Sequence, residues 1–217
     1  MQFKKGDTTV NQFYLVTSVS FIDDFYAYSE PVDAHYADDG PRCPKCGAWI
    51  GGSFWLEPRK VSLSRPKYGD FVCGVKFLVS ENFKAAYENS SLNGIKQFIP
   101  VEVSKVRHLR KNPPKPPRYF ALELVYSFAR LNTKKSIIIG QYDDRYCPLC
   151  NPLSRTKDKI DGLYIDDSNW GGEDIFHLHE MGGQIFASQK FVDFCLEHQF
   201  TNFFYVDTRE CKFGYFD

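Results

Sequence analysis

The sequence lacks most of the features that would place it in a membrane, secreted or enzyme class. It has no run of about 18 apolar residues, so no helix predicted from it spans a membrane. Its opening stretch, MQFKKGDTTVNQF, has no apolar core of the kind a secretory signal carries, which predicts a cytoplasmic protein. Neither sign of charge is in excess: Lys plus Arg and Asp plus Glu both number 27. Nucleic-acid binders usually carry a basic surplus, so that class is disfavoured, although a local patch would not show in the total. There is no Gly-x-Ser-x-Gly elbow, no glycine-rich phosphate loop and no His-Glu-x-x-His. The common nucleophile, phosphate-cradle and metalloprotease arrangements are therefore missing, and no enzyme activity is predicted.

Aromatic residues are abundant. They make up 17% of the chain, with 20 Phe and 13 Tyr, which predicts β-rich packing. The 217 residues are enough for one or two domains and a sizeable core. Cysteines number 7, an odd count. In a reducing compartment that favours metal ligands or free thiols over disulfides.

Four of the seven fall in two matching turns. PRCPKCGAWI carries Cys43 and Cys46, and RYCPLCNPLS carries Cys147 and Cys150. A Cys-x-x-Cys turn presents two sulfurs to one tetrahedral ion, and two turns complete the four ligands of a closed structural zinc site. Roughly 100 residues separate the turns. The extra loop closure costs on the order of 1.5 kcal/mol, against about 10–16 kcal/mol from structural zinc binding. One shared zinc ion per chain is the expectation. Two alternatives stand beside it: a thioredoxin-like redox pair, or metal-free cysteines. Redox chemistry needs a helix starting at the first cysteine, and neither GAWIGG nor NPLSR starts one. Cys195 lies on an apolar helix face and is expected in the core. Cys73 and Cys211 have no partner spacing and are read as structural.

Both cysteine pairs are related by a shift of 104 positions, and Asp70 and Asp174 by the same shift. Further on the shift becomes 108, which lays Ser80 over Ser188, Phe83 over Phe191 and Ile95 over Phe203. Each half then reads as a strand, a cysteine turn, a short strand, a helix and a last strand. FYLVTSVS and YFALELVY are the first strands, ENFKAAYEN and QKFVDFCLEH the helices, IKQFIPVEV and TNFFYVD the last strands. Ser80 and Ser188 are placed to cap the helices. The predicted fold class is α+β, with two β-rich lobes that each carry a short helix, joined by a split zinc-ribbon-like four-cysteine site. The lobes are residues 1–110 and 119–217. The proline-rich stretch 111–118, with four prolines from Pro113 to Pro117, is an extended linker. The lobes are also free to pack as one domain.

His177 and His179 are spaced to share one face of a strand, and a solvated strand edge or loop is expected there. DDSNWGGEDIF, from Asp166, has the composition of a Ca²⁺ loop without the terminal Glu, and is read as turn-forming. Trp49, Phe54 and Trp55 near the first cysteine turn could stack on bases, which keeps a zinc-ribbon nucleic-acid or regulatory module as the alternative function.

The paired Cys-x-x-Cys turns, DIF, LYIDDSNW and FASQKFVDFCLEHQFTNFFYV together resemble the bacterial double-CxxCG proteins, on the immunity side of contact-dependent and polymorphic toxin systems. The resemblance runs from about Pro41 onward. CPKCG fits the pattern, while CPLCN departs from it, with Asn151 in place of Gly. Asn tolerates the left-handed backbone such a turn uses. The resemblance implies a cytoplasmic zinc-binding protein that neutralises a cognate protein toxin by direct contact, with no active site.

Overall fold

The computed structural model describes residues 11–18, 25–74, 76–107, 114–139, 147–150 and 159–213. Pro113 and Asn151 lie outside these residues. The first half contains β1 (Phe13–Ser18), β2 (Ser29–Val32), β3 (Lys60–Leu63), β4 (Phe71–Val72), β5 (Leu78–Ser80), α1 (Glu81–Glu88) and β6 (Ile95–Val106). The second begins with β7 (Tyr119–Leu124), β8 (Tyr126–Ser127), β9 (Arg130–Leu131), β10 (Ile137–Ile139), β11 (Lys159–Asp161) and β12 (Ile165–Asp166). It continues with β13 (Ile175–Leu178), β14 (Met181–Ser188), α2 (Gln189–Glu197), β15 (Phe203–Asp207) and β16 (Lys212–Phe213). The fold is α+β, as the alternation of apolar residues predicts.

Two larger sheets carry the architecture, in the strand orders β2-β3-β6-β7-β5-β4 and β15-β1-β14-β13-β8. They share a four-strand antiparallel layout, β6-β7-β5-β4 in one and β15-β1-β14-β13 in the other. Phe71 pairs with Val79 as Ile175 pairs with Ala187. Ser80 pairs with Tyr119 as Ser188 pairs with Phe13. The two sheets therefore each draw a strand from the other half of the chain. β1 lies between β14 and β15 of the second half, and β7 lies between β5 and β6 of the first. The proline-rich stretch thus joins β6 to β7, which are neighbours in one sheet.

Each helix begins as its sequence dictates. The Ser80 hydroxyl accepts from the Phe83 N–H, and the Ser188 hydroxyl from the Phe191 N–H. Two carboxylates then brace the halves against each other. Asp70 takes the Ser80 hydroxyl at 2.7 Å, and its other oxygen takes the N–H and hydroxyl of Thr201 at 3.0 and 2.8 Å. Asp174 takes the Ser188 hydroxyl at 3.0 Å and the Asn93 N–H at 3.1 Å. Each Asp thus joins the cap of its own helix to the turn that follows the other helix. Gly94 in one of these turns has φ +115, and a Cβ there would sit 1.9 Å from the Ile175 carbonyl oxygen. Only glycine fits that approach.

The central core lies between the sheets. It draws Phe83 and Tyr87 from α1, Phe191, Phe194 and Cys195 from α2, and Phe71, Val79, Ile185 and Ala187 from the strands. The Phe83 ring lies 6.1 Å from Phe191 and 5.4 Å from Phe203, which places the helices against each other. The alternate residues of the same strands fill two outer clusters. Phe176 and Phe186 lie in one, and Val72, Leu78 and Tyr119 in the other. β14 is covered on both faces, which accounts for the unbroken burial from Ile185 to Ser188.

Candidate metal centre

Residues 35–56 form a long strap folded back on itself, closed by the Tyr36–Trp55 and Arg42–Trp49 bridges. Further rungs run from the Ala37 N–H to the Phe54 carbonyl and from the Ile50 N–H to the Pro41 carbonyl. Its tip is the first cysteine turn. The Cys43 N–H donates to the Ala48 carbonyl at 2.7 Å, and the Gly47 N–H to the Cys43 carbonyl at 2.9 Å. Gly47 has φ +75 with open space around it, so backbone conformation, not crowding, calls for glycine. Arg42 steadies the turn, with its guanidinium on the Asp39 carboxylate and the Gly47 carbonyl.

The second turn, 148–150, sits against this tip. The Leu149 N–H points at the Cys147 sulfur, 3.4 Å away. The Arg130 guanidinium bonds both the Pro148 carbonyl and the buried Glu180 carboxylate, which ties the turn to β9 and to the β13–β14 connection.

The two turns bring their sulfurs together. Cys43 and Cys147 Sγ are 3.9 Å apart, and Cys46 and Cys150 Sγ are 3.4 Å apart. All four lie within 4.8 Å of one another. Four thiolates at about 2.3 Å from one tetrahedral ion stand about 3.8 Å from each other, so the cluster has the dimensions of a single-ion site. The spacing is too long for any of these pairs to be a disulfide, and all the described cysteines are free. Cys43 and Cys150 are buried while Cys46 is exposed.

Cys147 and Cys150 influence each other's protonation. Burial pushes the Cys147 thiol up, but hydrogen bonds from the Leu149 and Cys150 N–H groups and from neighbouring thiols hold it down at about 6. Cys150 moves the other way, raised by burial first and then by its three sulfur neighbours. Cys147 thus gives up its proton readily, while Cys150 holds its own. A cation that replaced those protons would relieve both the burial and the crowding.

The remaining residues singled out from the sequence fall elsewhere. Cys73, Cys195 and Cys211 are buried singly, and burial pushes their thiols up to about 11, 12 and 12. They are core residues, as expected. The Asp166 stretch forms turns, with the Ser168 N–H on the Asp166 carboxylate and the Trp170 N–H on the Asp167 carbonyl. The expected solvated edge at His177 and His179 is not found, because the His179 ring is buried and the His177 ring is half-buried. Their Nδ1–H groups donate to the Gln184 and Ser127 carbonyls at 2.6 and 2.8 Å. Nothing in their spacing indicates that β14 and β8 lie on either side of β13. Trp55 is also buried, at 7% exposure, and cannot stack on a base, whereas Trp49 and Phe54 are exposed.

The model of the immunity protein family Imm11 matches residues 53–210. The match covers the second cysteine turn and begins beyond the first, so the four-cysteine site rests on this chain's own geometry. No curated protein matches the sequence.

Proposed function

The chain belongs to the Imm11 family of immunity proteins, and on that premise we propose that it protects a toxin-producing bacterial cell by binding a cognate protein toxin directly. The family match over residues 53–210 carries this reading. In it the protein acts in the cytoplasm by occlusion and needs no catalytic group of its own. The paired cysteine turns support reading it further as one of the double-CxxCG group of such proteins.

Within this reading Cys43, Cys46, Cys147 and Cys150 hold one zinc ion. Thiolate donors, tetrahedral spacing and burial of two of the four sulfurs support zinc over harder cations. With all four positions filled by protein there is no open site for water or substrate. The ion's role is structural: it clasps the tip of the strap to the second half of the chain. We read the chain as two related halves, 1–110 and 119–217, whose strands are exchanged and whose shared core makes them one folding unit.

Exposed aromatic residues on the strap, Tyr36, Trp49 and Phe54, offer the kind of surface that a protein partner covers. The test is co-expression with the toxin gene next to this one. Cells that carry both are expected to survive induction of the toxin, and cells that carry the toxin alone to die. Equal killing in both would overturn the proposal.

A further inference from the structure

A cavity of about 380 Å³ opens between the strap and the two sheets. That is the size of a small-molecule site. Its floor is apolar, made by Ile99, Ala121 and Leu124, and its charged lining is Arg59, Lys76, Lys96 and Glu123. Three cations therefore face one carboxylate.

The cations differ in how far they are already satisfied. Arg59 is committed, through the Trp55 carbonyl at 2.8 Å and the Glu57 carboxylate at 2.9 Å. Lys76 Nζ has one carbonyl acceptor, that of Ser53 at 3.3 Å, out of the three bonds an ammonium can donate. Burial pulls that ammonium below its usual range, and the field of Glu123 only partly offsets it. Lys96 has no ion-pair partner among the described residues. Trp55 also lines the cavity, and its buried indole N–H has no acceptor there.

The backbone is adjusted toward the same place. In β15 the residue after Phe203 pairs with Thr17, whereas in β6 the pairing jumps from Ile95 to Gln97 and leaves Lys96 as an inserted residue. A second irregularity, between Phe176 and Leu178, falls on His177. Bulges re-aim side chains and cluster beside functional sites. Lys96 and His177, beside these irregularities, both line the cavity.

We propose that this cavity binds a small organic anion, a carboxylate or phosphate monoester on an apolar or aromatic body. Lys76 and Lys96 take the anionic end, and the body lies on the Ile99–Leu124 floor beside Trp55.

The test follows the indole N–H signals of the full chain by NMR, with Trp55 assigned through Trp55→Phe. The probe is phenyl phosphate, with inorganic phosphate lacking the body and benzyl alcohol lacking the charge. Phenyl phosphate is expected to shift the Trp55 signal saturably, in the low-millimolar range. Inorganic phosphate is expected to bind more weakly, and benzyl alcohol to leave the signal in place. Lys76→Gln and Lys96→Gln are each expected to weaken binding about tenfold. Lys96 is exposed, so its variant folds, and unchanged Trp49 and Trp170 signals confirm this for both. No saturable shift with phenyl phosphate would overturn the proposal. So would equal shifts with benzyl alcohol, or binding that both lysine variants leave untouched. None of these results bears on protection against a toxin.

Discussion

Replacing Asp70 by Ala removes three acceptor contacts at once: the Ser80 hydroxyl at 2.7 Å, the Thr201 N–H at 3.0 Å and the Thr201 hydroxyl at 2.8 Å. Hydrogen bonds to a charged group contribute about 1.5–3 kcal/mol each. They are not additive here, because Ser80 keeps its bond from the Phe83 N–H, and Asp70 is only half-buried, so water takes over part of the loss. The expected cost is about 2–4 kcal/mol. Asp70→Asn keeps one acceptor oxygen and should cost roughly half as much. Urea unfolding measures both. The midpoint should fall while the slope stays fixed, since the same surface is exposed on unfolding. A double-mutant cycle with Thr201→Val isolates the contact that crosses between the halves, and a coupling of about 1 kcal/mol or more is expected. A coupling near zero, or a transition that splits in two, would refute the idea that the carboxylate braces two halves into one unit.

Cys46→Ser and Cys147→Ser should each lower metal content well below one zinc ion per chain by elemental analysis, and lower Tm in step; full metal content in either variant would contradict the shared site. His177 gives the stability a pH dependence. Burial, helped by the nearby Lys76 and Lys96 charges and opposed by the Gln184 bond, lowers its pKa from 6.5 to about 4. As pH falls the unfolded chain takes the proton first, so the stability present above about 6.5 declines toward pH 4, by up to about 3 kcal/mol. Denaturant midpoints of His177→Asn should lose less than wild type over that window. Residues 1–107 alone should not fold, since β7, a central strand of their sheet, is missing, whereas a chain cut within 108–113 should keep both pieces associated on a sizing column.

The parts of the fold that depend on local chemistry were legible in the sequence. Ser80 and Ser188 cap where the apolar periodicity begins. The Asp70–Asp174 shift marks two carboxylates that turn out to play one structural role. The equal shift between the cysteine pairs pointed to one cluster, and the four sulfurs meet. The placement of β1 and β7 was not legible, because an alternating strand carries no label for the sheet it will join. His177, His179 and Trp55 were misread for a related reason. Polar or amphipathic residues look exposed until the strands packed over them are known, and those strands are far away in sequence. The cavity was invisible too, since Lys76, Lys96, Trp55 and His177 have no shared spacing and are gathered by two bulges and a strap.

The measurement that bears most directly on the account is a titration of the purified chain with its proposed cognate toxin. Calorimetry and light scattering should show a one-to-one complex, with toxin activity lost in proportion to occupancy. Toxin that stays active in the presence of excess chain, with no heat of binding and no change in mass, would contradict it.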